Sequence, residues 1–504
     1  MLSALRRITP PHTLPLLTST RNLAAAATAQ HTTRDRGPRK EGDISSVFAS
    51  LGGGEATHLP SRFADIKQQL IALHQDAITS SFKRLLSSLH REIEHISTAG
   101  SEIIPSIDYE QIHNHSRIKP FSHSLKQRGV AIIRGVVDQN VALGWKEEIK
   151  RYIRANPQTK AFPKDNPAVY ELYWSPGQIK ARAHPNVLST QSFLMSFWHS
   201  KDSSALISTE HPVSYADRLR IRQPGDAGFA LGAHVDGGSV ERWEPDGYGR
   251  DGVYDKIWEG RWEEYDPWES SCRLRVESDL YDGAGACSMF RMFQGWLSMS
   301  HTGPGEGTLL VNPLFKLATA YFLLRPFFSP LNPSVEASGF LDPSNWELDL
   351  KQNSSLQGAS LGCTQELNAA LHPHLDLSHS MTHIPRVEPG DYVAWHCDSI
   401  HAVDKLHAGQ SDSSVLYIPA CPLTETNAEY LARQREAFLD GTPGPDFPGG
   451  VGESGHVGRM GRSNVVMAGG REGERAMGLA RWGVDGGAPE GVREVVKRSN
   501  EIVG

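Results

Sequence analysis

Between Phe63 and Ile96 apolar residues recur at intervals of three and four: Phe63, Ile66, Leu70 and Leu73, then Ile78, Phe82, Leu85, Leu89, Ile93 and Ile96. That spacing predicts a long amphipathic helix or a helical pair. Phe121 to Gln127 reads as a short helix, and the run from Gly129 to Val137 as a buried strand. Asp138 stands where an N-cap is expected, ahead of an amphipathic helix through Ile153. From about Tyr215 the texture changes to short strand-like runs broken by Gly and Pro: Arg218–Arg222, Gly232–Val235, Ala286–Ser298, Gly307–Val311, Tyr392–Trp395 and Ser414–Ile418. Leu314 to Phe328 and Asn427 to Leu439 read as helices. From Gly441 onward there are 17 glycines in 64 residues with little periodicity, so 441–504 is expected to be a largely flexible tail.

Two strings within this pattern carry chemistry. In Leu231-Gly-Ala-His-Val-Asp-Gly-Gly238, His234 and Asp236 are two apart, and on a strand such positions point to one side. In Val387-Glu-Pro-Gly-Asp-Tyr-Val-Ala-Trp-His-Cys-Asp-Ser-Ile-His-Ala-Val403, a Pro-Gly turn leads into a buried strand, a short loop and a histidine that opens the next element. Two imidazoles and a carboxylate on one face form a triad that leaves positions open on non-haem Fe(II), where a 2-oxo acid and O2 can bind. His396 and His401 compete for the third place. A closed zinc site would need more Cys or His at short spacing.

Composition narrows the classes. The chain has 504 residues, 39% of them hydrophobic, and a formal net charge of -7, which offers no basic surplus for nucleic acid. Cys272, Cys287, Cys363, Cys397 and Cys421 form no C-x-x-C pair and are expected to be reduced. No apolar run approaches the roughly 18–20 residues of a membrane span, so no membrane insertion is expected. The first acidic residue is Asp35, preceded by Arg6, Arg7, Arg21 and Arg34 among Ser, Thr, Ala and Leu, the composition of a mitochondrial transit peptide. The expected organisation is a transit peptide and disordered linker (1–45), a helical segment (46–100), a main domain (101–440) and the Gly-rich tail.

The strings above, with Tyr215-Ala-Asp-Arg-Leu-Arg-Ile-Arg222, Ser239-Val-Glu-Arg-Trp243, Met289-Phe-Arg-Met-Phe-Gln-Gly-Trp296, Gly303-Pro-Gly-Glu-Gly-Thr308 and Asn427-Ala-Glu-Tyr-Leu-Ala-Arg-Gln434, resemble the YbiU-like, or GlcNAc-induced-protein-like, family over roughly residues 60–450. That family has no well-defined role, and its fold is similar to that of Fe(II)/2-oxoglutarate oxygenases. The resemblance implies an α+β, mainly β architecture: a double-stranded β-helix (jelly-roll, cupin-like) barrel flanked by helices. His401 resembles the distal ligand of oxygenases such as the phytanoyl-CoA hydroxylase group, where a Pro-Gly-Asp turn lies about ten residues upstream. The implied ligand set is His234, Asp236 and His401, with 2-oxoglutarate as cosubstrate.

Many such oxygenases carry an Arg ten to fourteen residues after the distal histidine for the far carboxylate of 2-oxoglutarate. Here that stretch reads Gln410-Ser-Asp-Ser-Ser-Val-Leu416, without a basic residue. A dicarboxylate in a low-dielectric pocket still needs a cation, and Arg291 is the leading candidate, with Arg220 and Arg222 as alternatives. Ser414 is a further cosubstrate candidate, and Gln294, Trp243 and Trp296 are substrate or lid candidates. Residues 237–283 hold 8 aromatics in 47 positions and 13 acidic against 6 basic residues; they form either a lid at the barrel mouth or a satellite core. The expected function is oxidation of a small metabolite with O2. The alternatives are a cupin-type metal hydrolase or isomerase, or a non-catalytic metabolite-binding protein. A fluorescent protein fused behind residues 1–34 is expected to enter mitochondria; a cytosolic fusion with an intact N-terminus ends that reading.

Overall fold

The computed structural model describes residues 59–228, 230–283 and 286–504; residues 1–45, expected to be a transit peptide and linker, lie outside them. The Phe63–Ile96 periodicity becomes two helices, α1 (Arg62–Ile71) and α2 (Gln75–Ala99), whose apolar faces are buried. Then come strand β1 (Ser106–Asp108), helix α3 (His115–Arg128), strand β2 (Val130–Arg134) and helix α4 (Gln139–Ala155). The Asp138 carboxylate accepts from the amides of Asn140 and Val141, so the expected N-cap is present. Helices α5 (Pro176–Ala183) and α6 (Pro185–Met195) follow, each with proline in its first turn.

Eight further strands build the centre: β3 (Leu219–Arg222), β4 (His234–Val235), β5 (Phe293–Ser298), β6 (Leu309–Val311), β7 (Thr382–His383), β8 (Tyr392–His396), β9 (His401–Val403) and β10 (Ser413–Tyr417). One sheet runs β1-β2-β8-β5-β10-β3 and continues through Val169–Tyr170 and Ala161–Phe162. The other runs Gln365–Glu366, β4, β9, β6, β7. Strand parity sorts the side chains of the larger sheet. Val130, Ile132, Trp296, Val393, Trp395 and Val415 share a core with Leu309 and Val311 of the smaller sheet. Ala131, Ile133, Leu297, Tyr392, Ala394 and Leu416 pack instead with Phe121, Trp145, Ile149 and Leu194 from α3, α4 and α6.

Among the described residues helix outweighs strand, about 39% against 16%, and the sheets do not close into a barrel, so "mainly β" does not describe them. Part of the difference is the last 64 residues. Beyond α7 (Lys316–Leu324) and α8 (Glu425–Asp440), the segment expected to be flexible contains α9 (Arg462–Ala476) and α10 (Glu490–Val503), which bury Val465, Val495, Val496 and Val503 in one core with α5 and α8. Some of its glycines are contact points: a Cβ at Gly469 would lie 1.8 Å from the Ala183 carbonyl oxygen, and one at Gly491 2.3 Å from that of Ala205.

The aromatic insertion resolves as core. Trp243, Tyr248, Tyr254, Trp258, Trp262 and Tyr265 are buried in one cluster with α1, α2 and α7, and the Trp262 indole donates to the Ser81 carbonyl. At its centre is a buried charge cluster. Asp398 lies 2.9 Å from Arg242 and 2.6 Å from Arg273, and it also accepts from Tyr254 and Tyr265. Burial opposes ionisation of this carboxyl, but the charges of Arg273 and Arg242 outweigh it and hold its pKa far below the usual carboxylate range. Arg242 also donates to the carbonyl oxygens of Asp236 (2.7 Å) and Gly237 (3.4 Å). One guanidinium therefore ties the turn after β4 to the loop before β9.

Two measurements test this packing. Asp398→Ala leaves two guanidiniums buried without their counter-ion and is expected to cost about 3–5 kcal/mol of stability, read from the denaturant midpoint. Because the folded pKa is depressed, the contribution is full above the unfolded value of about 3.9 and disappears as pH falls toward the folded one. A loss below about 1 kcal/mol would show that the cluster does not hold the loops. Gly469→Ala is expected to cost about 1–3 kcal/mol through overpacking, whereas a flexible tail would not register it.

Candidate metal centre and cavity

β4 and β9 are antiparallel neighbours with His234 paired to His401 in register, so pairing alone brings the two imidazoles together. Their ring centroids are 4.2 Å apart. Asp236, two residues along from His234, places Oδ1 3.8 Å from His234 Nε2 and Oδ2 3.5 Å from His401 Nε2. His234 Nδ1 lies 2.7 Å from the Gly232 carbonyl oxygen, and His401 Nδ1 3.1 Å from that of Ser399. A carbonyl only accepts, so each Nδ1 carries the hydrogen and each Nε2 presents its lone pair toward Asp236.

Electrostatics agree with a ligand set. Burial and the His401 charge bring the His234 pKa down to about 4, so its ring is neutral at pH 7. Burial raises the Asp236 pKa, but its contacts with His401 and His234 and the Arg291 charge outweigh that and keep it ionised. About a third of the Asp236 side chain remains accessible while both histidines are buried, so the triad opens to one side. The donor set of two imidazole nitrogens and a carboxylate fits Fe(II) and is too small for a closed structural zinc site.

His396 has no such freedom. Its Nε2 donates to the Pro267 carbonyl at 2.9 Å, its Nδ1 accepts from the Asp398 amide, and its ring stacks on Trp198 with centroids 4.6 Å apart. His396, Cys397 and Asp398 are close enough together to suggest a second metal cluster, but Asp398 is engaged by two arginines.

The triad opens into a cavity of about 150 Å³, on the scale of a small metabolite. Arg220, Arg291, Gln294 and Trp296 line it. Arg220 is 3% exposed and pairs across the sheet with Val415, fourteen residues after His401. Strand β3 therefore places a buried arginine level with Val415 of β10. Arg291 lies in the coil before β5, over the Tyr215 ring at 6.0 Å. Gln294 Nε2 and Trp395 Nε1 are buried without hydrogen-bond partners among the described residues, as expected of groups awaiting a ligand.

Three candidates do not reach the cavity. Arg222 is bound to the Asp226 carboxylate at 2.6 Å and to the carbonyls of Asp404 and Lys405. Ser414 donates to Asp412, which also holds Lys146 and Lys150. Trp243 donates to the Leu323 carbonyl within the core rather than forming a lid. Sequence reasoning also missed wall residues. Tyr215 and Arg218 begin the Tyr215-Ala-Asp-Arg string, which was the available signal. Asp446 and Phe447 come from the supposed tail and gave none.

Comparison with known proteins places this architecture. The chain is 32% identical over 400 residues to the Escherichia coli (strain K12) protein YbiU, covering 77% of this chain and 88% of YbiU. The crystal structure of GlcNAc Inducible Gene 2, GIG2, from Candida albicans superposes with a TM-score of 0.78 at 31% identity, over 89% of this chain and 96% of that one. A Salmonella typhimurium LT2 protein that carries a provisional oxidoreductase name gives 0.70 at 29% identity, over 84% and 98%. The Gig2-like family model matches residues 57–479, and the chain belongs to the Gig2-like family.

Proposed function

We propose that the protein is a non-haem Fe(II)- and 2-oxoglutarate-dependent oxygenase that oxidises a small metabolite. The observation that carries this reading is the convergence of His234 Nε2, Asp236 and His401 Nε2 at the open end of a cavity. Strand order supports it. In chain order β3 and β5 lie in the larger sheet, β4, β6 and β7 in the smaller, and β8, β9 and β10 alternate larger, smaller, larger. We read this interleaving as an open double-stranded β-helix. The provisional oxidoreductase name of the Salmonella relative is consistent with it.

When bound, iron(II) with a 2-oxo acid supplies an O2-dependent oxidation that no amino-acid side chain performs. The chain's own residues supply the rest. Gly232 and Ser399 orient the two imidazoles through Nδ1, and the Arg242–Asp398 pair fixes the spacing of their loops. Arg220 is our choice for the far carboxylate of 2-oxoglutarate, because it stands inside the sheet beside the strand where related enzymes carry that cation. Gln294 and Trp395 offer N–H donors along the same wall.

His234→Ala, Asp236→Ala and His401→Ala are each expected to abolish stoichiometric Fe(II) binding in anaerobic titrations with circular dichroism unchanged. His396→Ala is expected to keep the metal; the reverse result would transfer the third ligand to His396. Arg220→Ala is expected to weaken 2-oxoglutarate by roughly two to three orders of magnitude while sparing Fe(II), the scale for removing one partner of a buried charged pair. Succinate release on admission of air, screened over a metabolite panel, tests the activity. A metal-loaded chain that binds no 2-oxoglutarate points instead to a Lewis-acid role for the metal.

A further inference from the structure

We propose that the substrate carries its own acidic group, a carboxylate or a phosphate monoester, and that Arg291 and Arg218 hold it against Tyr215 and Phe447. The proposal rests on the oxygenase reading and deepens it. Of the two cosubstrate carboxylates, one goes to the metal and the other to Arg220. Two further guanidiniums then remain in the same cavity.

Arg291 makes no hydrogen bond or ion pair among the described residues, although it is largely buried and borders the cavity. Arg218 uses Nε on Asp217 at 3.2 Å, but one terminal nitrogen, NH1, is buried without a partner. Its guanidinium lies 5.1 Å over the Phe447 ring, whose centroid is 5.8 Å from that of Tyr215. Both arginines thus stand beside one aromatic pair. A desolvated guanidinium nitrogen without an acceptor, such as Arg218 NH1, is costly, and a carboxylate or phosphate matches the fork of both it and Arg291.

The acidic groups of this wall do not fill that role. Asp217 is taken up by Arg218, and Asp446 accepts from Tyr215 Oη at 3.1 Å and from the amide and hydroxyl of Ser288 at 2.7 and 2.6 Å. Asp236 interacts with Arg291 electrostatically, but its charge is committed to the metal once the triad is loaded. An anion brought by the substrate meets the remaining demand.

The test uses the full chain, anaerobic, with Fe(II) and saturating 2-oxoglutarate. Calorimetry compares 3-hydroxybutyrate with 3-hydroxybutyramide, and glycerol 3-phosphate with glycerol. At least one acidic probe is expected to bind about tenfold or more tightly than its neutral counterpart, and the preferred pair identifies carboxylate or phosphate. Arg291→Gln and Arg218→Gln are each expected to weaken that probe about tenfold or more while leaving 2-oxoglutarate affinity within about threefold. Arg291→Lys is expected to recover part of the loss, which separates a charge role from misfolding. Absence of binding by both acidic probes, equal affinity for acid and neutral forms, or indifference to the glutamine variants overturns the proposal. Loss of 2-oxoglutarate rather than probe in Arg291→Gln makes Arg291 the cosubstrate anchor, so the proposal falls while the oxygenase reading stands. Failure of the unmodified chain to bind 2-oxoglutarate with Fe(II) defeats that reading itself.

Discussion

The Asp398 carboxylate, buried between Arg242 and Arg273, is the constraint on which the candidate site depends. His234 and His401 lie on separate short strands, and strands of two and three residues have little rigidity of their own. Arg242 spans the two by holding Asp398 with one nitrogen and the Asp236 carbonyl with another. The insertion that contributes both arginines is therefore a brace for the candidate site. Its aromatic residues exclude water from the cluster, which strengthens each charged contact and makes loss of any partner costly.

A second level of organisation lies in the larger sheet, whose two faces serve different ends. The outward face packs on α3, α4 and α6 as ordinary hydrophobic core. The inward face carries core residues such as Val393 and Val415, and also Arg220, Gln294, Trp296 and Trp395 where the cavity opens. Burying an arginine and unpaired N–H groups there works against stability. Such exceptions to normal burial are where ligand-binding sites are found.

Much of this was legible in the sequence. The helical spacing from Phe63, the Asp138 cap, most central strands and the H-x-D string all depend on local pattern. The preference for His401 over His396 came from the resemblance to oxygenases, and His401 lies beside His234 and Asp236 while His396 is held by Pro267 and Trp198. What the sequence hid depended on distance. Arg220 and Arg222 look equivalent along one strand, and only the chain near Asp226, Asp404 and Lys405 claims the second. Ser414 resembles a cavity residue until Asp412 beside it is seen to collect two lysines. The glycines after Gly441 suggested flexibility because composition does not show that Gly469 and Gly491 touch the carbonyls of Ala183 and Ala205. The aromatics of the insertion fitted a lid or a core equally, and the cover supplied by α1 and α2 decides for core.

The cavity wall draws on Val169, which precedes the triad strands in the chain, and on Asp446 and Phe447, which follow them. A chain leaving the ribosome folds its earlier parts first. His234, Asp236 and His401 can meet on their strands while Phe447 is still within the exit tunnel, so the three side chains can come together before the cavity wall is complete. A stop codon between the end of β10 and Asp446 would remove α9 and α10 together with Asp446 and Phe447, and so take part of the core as well as part of the cavity wall.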